Sequence, residues 1–328
     1  METLAKQFDE ALGLIDIGDK SKRAQLAHTE VREVLETSDT LRKWGVDTIL
    51  IGSYARRTGI YPGKDVDVFS RMTELDTSAS PTTVFAEIRD TLVDHYGSRA
   101  TPQRRSVKVA FDAEFSVDAV PAVRAGARWA VPNRNPVTWS QPESRWIETD
   151  PERLGVLTTQ RNRQPTVGGQ GAYIPLVKLV RQIREHHLRD AKPGGLYLEL
   201  LTYYAFGDIR GDSLAELLAI TLRRVGALLG EAIQNPLLDP ALGTPYAPAP
   251  LASELQAAQG MFGNLAEAAE RALGLERCPA AVVWRGILGK NDRGPCFPLP
   301  SGCDEAGRTI SAVTVNTRRG SDEARPFA

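Results

Sequence analysis

GSYARRTGIYPGKDVDVFS, residues 52–70, is the stretch that decides the fold of this 328-residue chain. It directly follows VDTILI (residues 46–51), a run typical of a buried strand, and it ends in the alternating pattern DVDVFS. Because side chains alternate along a strand, Asp65 and Asp67 are predicted to lie on one face while the intervening valines enter the core. The stretch therefore predicts two strands, joined through a Gly- and Pro-rich turn, with two carboxylates on the second strand.

A third acid lies in SVKVAFDAEFSVDAVPAV, residues 106–123, which alternates like a pair of strands. Asp118 would stand on the second of these strands. Carboxylates as close as Asp65 and Asp67 repel one another and do not both stay ionised without a cation or strong donors. Magnesium prefers oxygen ligands and takes one or two carboxylates plus substrate phosphates. The three acids predict a site for two Mg²⁺ ions, replaceable by Mn²⁺, that catalyses phosphoryl transfer.

The pair Gly52-Ser53 stands where the first strand opens into a helical turn. Glycine lets the backbone approach a triphosphate, and N–H groups at the start of a helix favour an anion. Alone, such a pair is usually only a turn, and an isolated Asp-Val-Asp usually marks an exposed strand face. Their combination at this spacing, followed by Asp118, indicates nucleotide chemistry.

Composition and charge exclude several classes of protein. The chain is 42% hydrophobic and 25% charged, as in globular proteins, and it has neither an apolar run long enough for a membrane nor a recognisable signal peptide. Its net charge of −1 favours small nucleotides over nucleic acid as the main substrate, because nucleic-acid binding relies on a basic excess. Three cysteines are too few for a disulfide framework, so we expect a cytoplasmic location and free thiols at Cys296 and Cys303.

Periodicity divides the chain into a mixed α/β part followed by a mainly α-helical part. We expect a core over residues 1–140, including an N-terminal helix that spans both lobes as a spine, and a helical lobe over residues 141–290. Helices are predicted at residues 173–188, 197–206, 213–234 and 251–273. Residues 291–328 have little periodicity and are predicted to form a flexible C-terminal tail.

The decisive stretch resembles the Gly-Ser, Asp-hydrophobe-Asp signature of the polymerase-β-like nucleotidyltransferases, and VDAVPAV resembles their third-acid strand. Downstream, WIETDPERLGVLTTQRNRQ, YIPLVKLVRQIREH, GGLYLELLTYYAF, NPLLDPAL and WRGILG follow the order of the helical lobe in the bacterial cGAS/DncV-like nucleotidyltransferases (CD-NTases) of antiphage CBASS systems. The similarity covers roughly residues 5–290. It implies an α+β fold in which a mixed-sheet nucleotidyltransferase lobe packs on an α-helical lobe, with the active site in the cleft.

The resemblance also implies an activity: synthesis of a cyclic di- or trinucleotide second messenger from ATP, GTP or pyrimidine nucleoside triphosphates, for a separately encoded effector. It assigns metal binding to Asp65, Asp67 and Asp118 and phosphate binding to Gly52 and Ser53. Arg181 falls where relatives place a triphosphate-binding lysine, and Lys178 lies one turn earlier. Three positions that concern nucleotide binding differ from the family's pattern. Gly195 stands where a serine is common, Arg57 stands where a small residue is usual, and Lys64 stands where a serine is frequent.

Other functions share the same signature. A CCA-adding or toxin-like enzyme would tail or modify RNA, a linear oligoadenylate synthase differs only in its product, and a non-catalytic nucleotide sensor or scaffold has no need of three mutually repelling acids. In some CD-NTases a ubiquitin-like ligation protein conjugates the C-terminal end. The tail RRGSDEARPFA, which ends at Ala328, suits such a partner or has no function.

Overall fold

The computed structural model describes residues 4–18, 20–63, 65–113 and 115–310, apart from the side chain of Ser21. Its helices are α1 Ala5–Ile15, α2 Lys20–Leu35, α3 Asp39–Lys43, α4 Gly52–Ala55, α5 Pro81–Tyr96, α6 Pro151–Arg161, α7 Tyr173–His187, α8 Gly195–Ala205, α9 Leu214–Glu231, α10 Ala252–Leu273 and α11 Arg277–Leu288. Its strands are β1 Val46–Leu50, β2 Asp65–Asp76, β3 Ala100–Pro102, β4 Val107–Asp112, β5 Phe115–Ala125, β6 Arg128–Pro132, β7 Trp146–Thr149, β8 Thr166–Val167, β9 Gln170–Gly171, β10 Lys290–Asn291 and β11 Gly294–Pro295. The predicted mixed α/β fold class is confirmed.

Seven strands form one mixed sheet, in which β1, β2, β5, β4 and β3 lie in that order and β6 and β7 continue from the far end of β5. Strand β2 runs parallel to β5, whereas β1 and β4 are antiparallel to their neighbours. In the β2–β5 register Asp67 is paired with Asp118, and Asp65 with Ser116. The two acid-bearing strands are therefore adjacent, and their acids occupy the same face.

Alternation along β2 and β5 separates a buried face from a functional face. Val66, Val68 and Val117 are completely buried in a core shared with α2 and α5. The opposite face carries the acids, followed by a small apolar cluster that contains Phe69 and Trp129. We call this unit, α2–α5 with β1–β7, the sheet lobe.

The N-terminal spine is not one continuous helix. Helix α1 ends at Ile15, Gly18 has a positive φ of 58°, and α2 begins at Lys20. The Asp16 carboxylate accepts a hydrogen bond from the Gly18 backbone N–H at 2.7 Å, which stabilises this break. Helix α1 packs in the helical core whereas α2 packs on the sheet, so the two helices together span both lobes.

Helices α6–α11 and α1 form the helical lobe, with a single large core. Its most buried members include Phe8 and Trp284, whose rings meet edge to face with centroids 5.1 Å apart. None of the helices in the described ranges is long and apolar enough to cross a bilayer. The predicted division at residue 140 remains a proposal, although β7 belongs to the sheet and α1 to the helical core.

The expected flexible tail is wrong for residues 291–310. Cys296 and Phe297 are completely buried against the helical lobe, following a short hairpin of β10 and β11. Cys303 forms a disulfide with Cys278 of α11 rather than remaining a free thiol, while Cys296 is free. These residues are ordered by packing on distant helices, which local periodicity does not reveal. The predicted conjugation site at Ala328 lies outside the described residues.

Candidate active site

The three predicted acids meet at the middle of the sheet, on the face that is turned toward the helical lobe. Asp65 is exposed and accepts hydrogen bonds from the Ser116 hydroxyl at 2.7 Å and the Lys108 ammonium at 3.1 Å. Asp67 and Asp118 are half-buried neighbours on adjacent strands. Oδ1 of Asp118 is buried and has no hydrogen-bond partner among the described residues. The pattern of alternation and the strand register thus bring together acids that are 51 and 53 residues apart in the sequence.

Electrostatics of this cluster disfavour ionisation. Burial, then the charges of Asp67 and Asp65, raises the pKa of Asp118 to about 6. Burial also raises the pKa of Asp67; the Arg56 guanidinium opposes this rise, and the Asp65 carboxylate adds to it. The cluster therefore holds negative charge at a free-energy cost unless a cation is bound.

These residues fit a divalent metal, although their side chains are not arranged as a complete coordination sphere. Among the residues that the structure describes, no three His, Cys, Asp or Glu side chains form a complete metal-binding group. The Asp65 carboxylate instead faces Ser116 and Lys108. The donor set is nevertheless all oxygen, and the unpartnered Oδ1 of Asp118 is a ligand atom without another use. Such hard oxygen donors suit Mg²⁺ or Mn²⁺ rather than softer ions.

Position 52 requires glycine because the backbone there lies directly against the Asp67 carboxylate. Its φ is +69°, and a Cβ atom there would lie 2.2 Å from Oδ2 of Asp67. The Ile51 N–H donates to the Asp67 carbonyl at 3.0 Å, and the Ser53 carbonyl accepts from the N–H groups of Thr58 and Gly59. The Gly-Ser turn is thus held directly against the acids.

A buried ion-pair network connects the sheet lobe to the helical lobe next to the acids. Glu199 of α8 is 1% exposed and accepts from Arg56 Nε at 2.6 Å, Thr58 Oγ1 at 3.1 Å and Arg181 at 3.4 Å. Burial by itself would raise the pKa of Glu199, but the Arg56 guanidinium, followed by that of Arg181, lowers it below its usual value. Neither Glu199 nor Arg56 was among the predicted site residues, because no local pattern indicates that they meet.

The two predicted phosphate-binding cations of α7 lie in different surroundings. Arg181 bonds to Glu199, and its charge, with those of Arg56 and Arg105, partly opposes the rise that burial causes in the pKa of Asp67. Gly195 leaves space beside it, since a Cβ atom there would be 3.5 Å from the Arg181 guanidinium carbon. The Lys178 ammonium instead pairs with Asp16 at the α1–α2 break. Arg181 faces the acids, whereas Lys178 has a structural partner.

A cavity of about 630 Å³ opens beside the acids and is large enough for a nucleotide. Its wall includes Gly52, Asp67 and Arg56 from the sheet lobe, and Asp239 and Tyr246 from the loop between α9 and α10. Arg105 and Arg134 line the same cavity. Neither arginine was among the predicted site residues; the doublet Arg104-Arg105, next to the strand that precedes Asp118, was the available signal.

Known proteins resemble this chain both in sequence and in fold. Residues 1–162 match the Second Messenger Oligonucleotide or Dinucleotide Synthetase domain. The cyclic AMP-AMP-AMP synthase of Acinetobacter sp. (strain ATCC 27244 / 9458) is 29% identical over 185 residues, which are 53% of this chain and 50% of that protein. The chain thus aligns with about half the length of this curated relative.

Solved structures resemble almost the whole chain. CdnC of E. coli MS115-1 with ATP superposes with a TM-score of 0.67 and 15% identity over 90% of this chain and 98% of its own. The Bradyrhizobium diazoefficiens CD-NTase CdnG in complex with GTP superposes with a TM-score of 0.69 and 16% identity, over 87% of this chain and 96% of its own. At such identities the likeness concerns the fold. The chain therefore has the fold of these CD-NTases, and its first 162 residues are similar to the Second Messenger Oligonucleotide or Dinucleotide Synthetase domain.

Proposed function

We propose that this chain is a cytoplasmic nucleotidyltransferase that joins nucleoside triphosphates into a cyclic di- or trinucleotide second messenger in antiphage defence. The observation that carries the proposal is the placement of three acids and the Gly-Ser turn on one face of the cleft, beside a cavity of nucleotide size. The curated relative, a cyclic AMP-AMP-AMP synthase, supports ATP as a substrate. GTP and pyrimidine nucleotides remain candidate substrates until the product is known.

The reaction would join two nucleotides and later close the ring. A 2′- or 3′-hydroxyl oxygen forms a bond to the α-phosphorus of the donor nucleotide, the bond between the α- and β-phosphates breaks, and pyrophosphate leaves with the electron pair while the hydroxyl proton passes to solvent. Two Mg²⁺ ions, held by Asp65, Asp67 and Asp118, would supply activation of the hydroxyl and neutralise the leaving group. Mn²⁺ would replace them with the same ligands.

The chain's own residues supply binding and orientation. Gly52 and Ser53 would approach the donor triphosphate, because the absence of a Cβ atom at Gly52 leaves the backbone against the acids. Arg181 would neutralise donor phosphate charge from the helical lobe, and Lys178 would join it only by exchanging its partner Asp16. Positioning and charge stabilisation account for most of the catalysis of phosphoryl transfer.

A product assay tests the function. The purified protein is incubated with all four radiolabelled nucleoside triphosphates and Mg²⁺ or Mn²⁺, then treated with phosphatase and resolved by chromatography and mass spectrometry. We expect a phosphatase-resistant product whose mass gives base composition and ring size. A phosphatase-sensitive product would indicate linear oligonucleotide synthesis instead. Transfer of nucleotides to added labelled tRNA, without a small product, would indicate the RNA-modifying alternative. Nucleotide binding without any transfer would indicate a sensor.

The proposed biological partners are an operon-encoded effector, which would bind the product, and a ubiquitin-like ligation protein that acts on Ala328. Co-expression with the neighbouring genes followed by intact-mass analysis tests the second partner. An adduct at Ala328 would support it, and an unmodified mass would contradict it.

A further inference from the structure

A second cationic site lies across the acids from the Gly-Ser turn. The sheet order β1-β2-β5-β4-β3 places Gly52, after β1, on one side of the acid-bearing strands, and the β3–β4 turn on the other. That turn carries Arg105, and the loop after β6 brings Arg134 beside it. Both arginines line the 630 Å³ cavity and a second cavity of about 450 Å³ that reaches Asp118.

The two guanidinium groups contact no counter-ion within the part of the chain that the structure describes. Among the described residues, neither Arg105 nor Arg134 forms a hydrogen bond or a salt bridge with its side chain. Burial, and next the charge of Arg134, lowers the pKa of Arg105, which is half-buried. The Asp67 carboxylate offsets part of this effect, and a bound anion would relieve the remaining repulsion between the two guanidinium groups.

The surroundings identify the kind of anion. Guanidinium groups bind phosphate oxygens with paired, charge-assisted hydrogen bonds. The Tyr246 hydroxyl, whose pKa burial raises and both arginines lower, lies near them. The cavity continues from the arginines to the acids without leaving the cleft. A phosphate chain bound here would belong to a nucleotide whose sugar hydroxyl faces the metal site.

We propose that Arg105 and Arg134 bind the 5′-triphosphate of the acceptor nucleotide, or of the linear intermediate, while Gly52 and Ser53 serve the donor. This inference rests on the proposed function. Two triphosphates carry about eight negative charges, and one cationic site cannot neutralise both. Placing them on opposite sides of the acids leaves the acceptor hydroxyl and the donor α-phosphorus to meet in the centre.

The first test measures the anion site without catalysis. Inorganic tripolyphosphate is titrated calorimetrically, in EDTA, into the wild type, Arg105→Gln/Arg134→Gln and the control Arg99→Gln, which changes an exposed arginine of the same lobe. We expect the double variant to lose one binding site or to bind roughly 10- to 100-fold more weakly, as for lost charge-assisted hydrogen bonds. Its Tm should be equal or higher, because a repulsion is removed. Binding equal to that of the wild type would overturn the site.

The second test assigns the site to the acceptor. With ATP as donor, kcat/KM is compared for two linear dinucleotide acceptors that differ only in a 5′-triphosphate or a 5′-hydroxyl. The loss in the double variant should be roughly 10- to 100-fold larger with the triphosphate acceptor than with the hydroxyl acceptor. Equal losses with both acceptors would overturn the assignment. If the wild type extends neither acceptor, the proposed function fails with the acceptor role, while the titration still decides the anion site.

Discussion

The acids of the cleft and the ion-pair network beside them are two neighbouring groups of charges with opposite character. Asp65, Asp67 and Asp118 share one sign, and Oδ1 of Asp118 has no partner. Glu199, in contrast, is surrounded by donors from both lobes and has a lowered pKa. A cluster in which charges of one sign prevail indicates a site for a ligand of the opposite charge, whereas the balanced, fully buried charges around Glu199 indicate a contact that holds the two lobes together. Arg105 and Arg134, which form no direct ion pair with the described residues, follow the first rule.

The largest effect should come from the acids. Asp65→Asn/Asp67→Asn should lower product formation by at least about 1000-fold, because metal binding contributes several kcal/mol to transition-state stabilisation. Its Tm should stay equal or rise, because the substitution relieves a like-charge clash. Product analysis and calorimetry of the same preparation measure both quantities. Retained turnover would remove the acids from the active site.

A substitution in the Glu199 ion-pair network should instead lower the stability of the protein. Glu199→Gln leaves the Arg56 guanidinium buried without a full counter-charge, which should cost about 3–5 kcal/mol in the free energy of unfolding. Thermal unfolding should then occur roughly 5–10 °C lower. Glu231→Gln is a matched control, since Glu231 lies exposed on α9. Equal Tm values for the two variants would show that the network does not hold the lobes together.

Gly52→Ala tests how closely the turn and the acids are packed. The new Cβ would lie 2.2 Å from Asp67 at a positive φ, so we expect a stability loss of about 1–3 kcal/mol and an activity loss of roughly 100-fold. In Gly155→Ala, on α6, the added Cβ has no atom within 4 Å, and stability should rise slightly. Denaturant unfolding and the product assay compare the two. Full activity of Gly52→Ala would contradict the close approach.

The smallest effect concerns pH in the metal-free protein. The pKa of Asp118 is about 6 in the folded state, above its usual 3.8, so its protonated form contributes stability below about pH 4 that is lost as the pH rises through 6. Asp67, with a raised pKa, acts in the same direction. The Tm of Asp118→Asn minus that of the wild type should therefore increase between pH 4 and 7, by a few degrees. A difference independent of pH would show that Asp118 ionises normally.

Magnesium should reverse this pH effect. At pH 7, adding Mg²⁺ should raise the Tm of the wild type more than that of Asp118→Asn, because only the wild type offers all three carboxylates. Equal shifts would exclude Asp118 as a ligand.

By itself, the sequence determined the features that depend on local order. Alternation in DVDVFS placed Asp65 and Asp67 on one strand face, alternation in SVDAV placed Asp118 on another strand, and helical periodicity identified the main helices of the second half. Such patterns are readable because the periods of strands and helices act over a few residues. The predicted tail failed for the same reason: Phe297 is ordered by contacts with Phe8, almost 290 positions earlier.

Only the tertiary structure decided which distant residues meet. Arg56 and Glu199 are 143 positions apart, and no pattern within either segment indicates their ion pair. The disulfide between Cys278 and Cys303, the break at Asp16 and the approach of Arg134 to Arg105 were equally invisible. These contacts arise from the packing of the two lobes and their loops, since burial, which makes a charge costly or useful, is a property of the folded whole.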